Sequence, residues 1–379
     1  MVSSLTADRV RSDIDVLSRA GLGVDEFLDE ASTALARVLP SVAACIGTHD
    51  PVTEMLTSGR KFGDLARRDA EDPLFAILEY GGAETTAFSD IVRADIPAIA
   101  MSASGHGRPG ASVRMDRLIR PMFGYSDELR LAFRDDAGLW GGIALFRDDD
   151  IPPFTDEEVR WAGGLSGSFA RGVRVGVLAQ LGSSSLIDTA VDGPAVVVID
   201  QRDEVVRMST GAQTRLLQLG EAADSTDPIG TVYALVMAAR RMVGSADERV
   251  PRARVRTRSG IWLVLHASPF LGQGGAVGEV VVTIEEARPS EVVDLVVAAF
   301  GLTRRERDVT ELVLRGVETK EIAARLHLSA YTVQDHLKVV FDKAGVRSRR
   351  ELITRVYLDQ YMPRGRDAVG PTGWYLPAT

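Results

Sequence analysis

The sequence predicts a multidomain α+β protein: two units that mix strands with helices, followed by an all-α unit of four helices. Three observations carry this expectation. The chain has 379 residues, more than one hydrophobic core usually organises. Strand-like and helix-like patterns alternate from residue 7 to about residue 286, and from Leu302 onward only capped helical patterns remain. Hydrophobic residues make up 45% and charged residues 26%, the balance of an ordinary water-soluble globular chain. No run approaches the roughly eighteen apolar residues needed to span a bilayer. The first twenty residues are amphipathic and carry acids throughout, with no apolar signal-peptide core. The expected location is therefore the cytoplasm, with no membrane contact. A single cysteine, Cys45, fits a reducing compartment and reads as a buried strand residue within Val42–Ile46.

In the first unit, Val10, Ile14 and Leu17 share one face of a helix over 7–20, and Leu28, Ala31, Leu35 and Val38 one face of a helix over 25–39 that stops at Pro40. Strands are expected at 41–47 and 53–57. An irregular region follows to about 126, with helical pieces near 73–80 and 112–120. Two apolar runs, 129–134 and 139–147, flank Asp135-Asp136-Ala137-Gly138 and predict a hairpin. Thr155-Asp156-Glu157-Glu158 is a capping box opening a long helix. That helix contains Gly163, Gly164, Gly167, Gly172 and Gly176. Each glycine costs about 1 kcal/mol in a helix interior, so close packing against another helix, within the chain or across a dimer, or against its own sheet must compensate. With Phe154–Glu158 as its most typical fragment, this order of elements resembles a GAF domain, a small-molecule sensor fold. Position in the variable middle of such a domain makes Phe75, Phe88, Met101, Met115, Leu118 and Phe123 the ligand-pocket candidates, with structural core as the competing reading.

Leu181–Ser185 reads as a linker. Beyond it, a buried strand within Gly193–Asp200 that ends in a polar turn, a second strand at 204–208, helices near 210–219 and 230–243, and strands near 252–257, 261–268 and 277–285 make a second unit. Two strands, helices and three strands resemble a PAS domain, most typically over Pro194–Arg207. Glu286–Ser290 reads as the next linker. The expected boundaries are 1–181 and 185–286 for the two sensor-like units, 291–361 for the helical unit and 362–379 for a tail.

The helical unit is the most specific part. Thr303 and Glu306 form a capping box, Val309, Leu312 and Val313 continue an apolar face, and Gly316 ends the first helix. Lys320–Leu326 forms a short second helix, His327-Leu328-Ser329 a turn, and Ser329 caps a third helix through the donors of Tyr331 or Thr332. On that helix Val333, Leu337 and Phe341 face inward, leaving Tyr331, Gln334, Asp335 and Lys338 outside. A fourth helix starts at Ser348. Leu302-Thr303, Glu306-Arg307, Gly316, Lys320–Ala323, Leu326, Ser329, Thr332-Val333, His336, Lys343, Gly345-Val346 and Arg349 follow the LuxR/FixJ-type helix-turn-helix pattern without a gap, and the segment 300–360 closely resembles that family. Glu318 stands where the second helix usually has a Ser or Thr cap, which leaves open a cap shifted to Thr319.

The resemblance implies sequence-specific binding to double-stranded DNA. Base contacts would come from Tyr331, Gln334, Asp335 and Lys338, and phosphate contacts from Lys320, Ser329, Thr332, Lys343, Arg347 and Arg349. Gln suits adenine, Asp accepts from cytosine, and Lys reaches guanine acceptors. Asp335 has an alternative partner in Lys338, and His336 reads as a packed side chain. The fourth helix would supply a homodimer contact through Leu352, Ile353, Val356 and Tyr357, and a two-fold dimer implies an inverted-repeat operator. Between Leu302 and Gln360 there are twelve Lys/Arg against nine Asp/Glu, a surplus of three, so with −9 overall the remainder carries about −12. A modestly basic reader on an acidic sensor is the expected arrangement. A small-molecule effector in the GAF-like or PAS-like cavity would control it; a protein partner acting through the same units is the rival reading.

Other chemistries find little support. Gly105–Gly110 spells G-x-G-x-x-G, but no buried strand precedes it and Pro109 interrupts it, so a loop is expected. No metal, cofactor or catalytic residue is expected: His49 and His106 lack ligand-spaced partners, and one cysteine cannot recycle through a second thiol as a sulfoxide reductase does. Asp13 and Asp15 lie in an amphipathic helix, which argues against a phosphoacceptor domain.

Overall fold

The computed structural model describes residues 4–358 apart from residues 67, 69, 104–110, 181–192, 224–228, 244–250, 258 and 272–276. The Leu181–Ser185 linker, the G-x-G-x-x-G segment and the 362–379 tail lie outside the described residues. Among the described residues no helix is long and apolar enough to cross a membrane.

The first sheet is antiparallel with order β2-β1-β5-β4-β3, built from β1 (Ala43–His49), β2 (Leu56–Gly63), β3 (Ala98–Ala100), β4 (Asp127–Asp135) and β5 (Gly138–Arg147). The β4–β5 hairpin is tied at its turn by the Trp140 Nε1 donating to Asp135 Oδ1 at 2.8 Å. One face packs on α1 (Ser4–Leu17), α2 (Val24–Ala36) and α6 (Ser166–Ala179), with Ile14, Phe27, Leu35, Ile46, Leu131, Phe133 and Phe169 fully buried between them. The other face is covered by α3 (Asp72–Tyr80), α4 (Phe88–Ile91) and a π-helical segment Met115–Phe123.

The expected single glycine-rich helix is two. The capping box at Thr155 opens α5 (Asp156–Gly163), and the chain breaks at Gly164 before α6. Two of the five glycines, Gly172 and Gly176, pack closely on a helix of the same chain, while a Cβ on Gly167 would meet nothing within 4 Å. A Cβ on Gly172 would lie 2.1 Å from the Phe27 ring, and one on Gly176 would lie 2.7 Å from the Val24 nitrogen, so α6 presses directly on α2.

The second sheet repeats the same plan. It comprises β6 (Ala195–Ile199), β7 (Val205–Met208), β8 (Arg252–Arg256), β9 (Trp262–Leu271) and β10 (Val277–Glu286), in the order β7-β6-β10-β9-β8. The β-branched runs of β6 and β10 satisfy their backbones through the ladder and bury alternate side chains, among them Val197, Val280 and Val282, whereas β8 and β9 bury consecutive residues, Ala253–Val255 and Trp262–Leu265. The helices are α7 (Ala212–Ala223) and α8 (Ile229–Met242); α8 packs on β9 and β10 and also against α3 of the first unit. The two sheet units thus show the antiparallel sensor plan of the GAF-like and PAS-like resemblances. They are pinned together by Arg254 of β8, whose Nε and Nη2 each donate to Asp50 at 2.6 Å with both side chains fully buried.

The expected linker at 286–290 shrinks to two residues, because β10 runs through Glu286 and α9 (Pro289–Ala299) begins directly, with Pro at its first turn. The helices α10 (Arg304–Leu314), α11 (Thr319–Arg325), α12 (Ala330–Ala344) and α13 (Arg349–Ile353), the last continuing as a π-helical turn Thr354–Leu358, complete the chain's described part. Multidomain α+β architecture ending in an all-α helix-turn-helix unit is the observed fold class.

Candidate nucleic-acid interface

The terminal unit is held by local caps. Thr303 Oγ1 accepts from the Glu306 backbone N–H at 3.4 Å while Glu306 Oε2 accepts from the Thr303 N–H at 2.8 Å. Burial raises the Glu306 carboxyl pKa, but Lys343 at 2.6 Å and the Thr303 bonds outweigh it and hold the group below the ordinary value. At α11 the cap is not shifted: Glu318 is the N-cap residue, and its side chain makes no capping hydrogen bond. His327 takes a left-handed φ of 54° in the turn. Ser329 Oγ then accepts from the Thr332 N–H at 3.0 Å and opens α12. Gly345, at φ 66°, closes it in a left-handed conformation that a glycine adopts without strain.

The buried stripe of α12 is Val333, Leu337, Val340 and Ala344, whereas Phe341 is only half-buried. The expected third inward residue is thus one position late. Spacing i, i+4, i+7, i+11 tracks 3.6 residues per turn better than i, i+4, i+8. The outer face carries Tyr331 (75% exposed), Gln334 and a Lys338 whose side chain is 74% exposed. Asp335 is half-buried, and its Oδ1 lies 3.8 Å from Lys338 Nζ, the intrahelical pairing anticipated as its alternative. His336 is half-buried.

The six phosphate-contact candidates separate into two groups. Lys320, Ser329 and Arg347 are exposed, and Thr332 is partly so, its hydroxyl 2.8 Å from that of Ser329. Lys343 and Arg349 are committed within the protein. Lys343 donates to Glu306 and to the Gly301 carbonyl at 3.2 Å. Arg349 Nη2 donates to the Val313 and Val317 carbonyls, capping the end of α10. The dimer candidates divide likewise. Leu352 and Val356 are fully buried in their own chain, in the core that also contains Val292 and Val296 of α9, while Ile353 and Tyr357 remain half-buried. The expected stripe is largely used at home, because α9, unforeseen from the sequence, lies against Thr354–Leu358.

Four of the six ligand candidates of the first unit, Phe88, Met101, Met115 and Leu118, are buried in its core. Met101, Met115 and Leu118 are fully buried against Ala43, Leu78, Tyr125 and Phe146, with Phe75 and Phe123 half-buried at the edge of the same cluster; Phe88 belongs to a neighbouring one. Sequence reasoning missed what sits among them: a buried ionic network. Arg114 donates to Glu128 Oε2 at 2.9 and 3.2 Å and to Thr86 Oγ1 at 3.0 Å. Arg130 Nη2 donates to both Glu79 oxygens at 2.8 and 2.9 Å, and its guanidinium lies 3.9 Å from the centre of the Phe88 ring. Glu84 accepts from the Thr86, Ser112 and Arg114 groups at 2.8–3.1 Å. Burial pushes its carboxyl up, but the Arg114 charge and these hydrogen bonds prevail and bring its pKa down to about 2. No residue here is marked by local pattern; four stretches contribute, Glu79, Glu84–Thr86, Ser112–Arg114 and Glu128–Arg130. Nearby, burial and the Arg130 charge drive the His49 pKa down to about 3, so the ring is neutral, with Nε2 3.1 Å from Tyr80 Oη. Among the described residues no His, Cys, Asp or Glu group has the arrangement of a metal site.

A compact helical unit with an outward, capped and polar third helix, joined to two sheet units of sensor type, defines the class of helix-turn-helix proteins. Residues 301–356 match the family described as bacterial regulatory proteins, luxR family. The spore germination protein GerE of Bacillus subtilis is 40% identical over 55 residues, which span 14% of this chain and 74% of GerE. This chain belongs to the luxR family of bacterial regulatory proteins. The transcriptional regulatory protein DesR of Bacillus subtilis is 42% identical over 67 residues, 18% of this chain and 34% of DesR, so the likeness spans about a third of that relative. Among solved structures, a Vibrio cholera VqmA–ligand–DNA complex covers 45% of this chain and 84% of its own at 18% identity and a TM-score of 0.23, a superposition too loose to assign any residue here.

Proposed function

We propose that this protein is a transcriptional regulator that binds a specific DNA sequence as a homodimer and is controlled by a small molecule acting on its sheet units. The observation that carries the reading is the outer face of α12: Tyr331, Gln334 and Lys338 project from a helix whose opposite face is fully buried. Gln334 and Lys338 read base edges, with Tyr331 beside them; Asp335 meets a cytosine edge once Lys338 turns to the DNA. Lys320, Ser329, Thr332 and Arg347 position the helix on phosphates. Lys343 and Arg349 act mainly inside the protein, given their partners. The dimer contact falls on Ile353 and Tyr357, and extends to Leu352 and Val356 only if α9 moves aside. The family match and the regulatory name of DesR support a non-enzymatic role for this chain. We keep 1–181, 185–286 and 291–361 as the working domains, with α9 bridging the last two, and the cytoplasm as the location.

Selection of bound fragments from a randomised DNA pool by the full-length protein tests the reading. An inverted repeat with half-sites one or a whole number of helical turns apart is expected. A single unrepeated half-site would overturn the dimer, and no enriched sequence would overturn specific binding.

A further inference from the structure

A cavity of about 310 Å³ lies where β1 and β2 of the first sheet and α6 face β8 of the second sheet and the middle of α9. Its apolar part is formed by Trp140, Val173, Val177, Trp262 and Leu295. The Trp140 N–H is already spent on Asp135, so this indole offers carbon surface to the space. Its polar part is a hydroxyl triad in which Thr48 Oγ1 lies 2.7 Å from Thr57 Oγ1 and 2.6 Å from Ser58 Oγ. Three hydroxyls own three protons and two bonds use two, so one O–H and several lone pairs are left over within the triad. The charged groups of the wall balance: Asp25 and Asp50 against Arg254 and Arg256. His49 adds no charge, since burial holds its ring neutral.

The size falls at the lower end of small-molecule sites, roughly 300–1,000 Å³. A net-charged occupant would enter a balanced wall and leave its own desolvation uncompensated, whereas a neutral one would not. We propose that this cavity between the two sheet units binds a small neutral molecule with an aromatic or branched apolar body and one or two hydroxyl, carbonyl or amide groups that engage the Thr48–Thr57–Ser58 triad. The proposal rests on the reading that a small molecule controls the protein, and moves its site from the interior of either sheet unit to their junction. The site is wired to the DNA-binding end. Arg254, which pins Asp50, also donates through Nη1 to the Glu291 carbonyl of α9 at 3.1 Å. Leu295 of the same helix lines the cavity, and α9 lies against the last helical turn, Thr354–Leu358. An occupant therefore bears on the element that covers the fourth-helix stripe.

Isothermal titration of the full-length protein tests this with three neutral probes, 2-naphthamide, 2-naphthol and indole-3-carboxamide, and the anion 2-naphthoate. At least one neutral probe is expected to bind once per chain, and 2-naphthoate at least about tenfold more weakly than 2-naphthamide. Thr48→Val, which removes the hub of the triad, should weaken the neutral probe about tenfold. Val177→Trp, which fills apolar space, should weaken it at least as much; circular dichroism melts establish that both variants fold. Absence of binding by all three neutral probes overturns the proposal. Binding unchanged in both folded variants also overturns it, while leaving small-molecule control standing with its site elsewhere. Equal binding of 2-naphthoate overturns the neutral class. Operator binding by the unliganded protein is scored separately, so its failure would count against the DNA-binding reading alone.

Discussion

The two sheets share one strand order and fill the space beside them in opposite ways. Between the first sheet and α3, α4 and the π-helical segment lie two guanidiniums and three carboxylates, all buried, cross-linked through Arg114 and Arg130. Beside the second sheet, α8 contributes Leu235, Val236 and Ala239 to an apolar cluster with Leu265, Val280 and Val282. Topology therefore does not decide what fills a sensor-type fold. An ionic filling is all-or-none, because each member leaves a charged partner stranded when removed, whereas an apolar filling yields by degrees.

Replacements of similar size put that contrast under strain. Arg130→Met should cost about 3–5 kcal/mol in urea unfolding, since the buried Glu79 loses its two short bonds to Arg130 and keeps, of its ion pairs, only the longer 3.4 Å contact to Arg114. Leu265→Met in the second sheet should cost less than about 1.5 kcal/mol. Equal losses would break the contrast.

A smaller effect separates the first unit by pH. The folded-state His49 pKa is lowered from 6.5 to about 3, so on acidification the unfolded chain takes up a proton that the folded chain refuses. Its contribution to stability is full above 6.5 and falls as the pH drops toward 3. By about pH 5 the loss is on the order of 2 kcal/mol. His49→Gln should flatten that part of the stability profile; an unchanged slope in the variant would remove His49 as its source. Smallest is the effect at the DNA end, where Arg347→Ala should weaken all DNA sequences by a similar factor and lower the salt slope by about 1. Selective loss at one sequence would move Arg347 from phosphate to base.

What was legible in the sequence was what is local. Capping boxes at Thr155 and Thr303, the Ser329 cap, the hairpin at Asp135 and the strand Ala195–Ile199 all rest on residues within four positions of each other. β3 has three residues, too few to show a period, and α9 was hidden because it starts two residues after a strand. The ionic network was illegible because Glu79, Glu84, Arg114, Glu128 and Arg130 come from distant stretches of the chain, and only the fold brings them within hydrogen-bond reach. In the DNA-binding unit the outward face of α12 could be read from its period, but the engagement of Lys343 with Glu306 and of Arg349 with the end of α10 could not, because both cross between helices. The burial of Leu352 and Val356 within the chain follows from the same kind of long-range packing.

The central claim is that Gln334 and Lys338 on α12 read bases. Fluorescence anisotropy with the selected operator and with variants altered at each half-site position tests it for wild type and Lys338→Ala. The account predicts that Lys338→Ala loses about 1–3 kcal/mol on the selected operator and ceases to discriminate at one symmetric pair of positions, with discrimination elsewhere intact. Unchanged affinity, or an equal loss on every sequence, would contradict it.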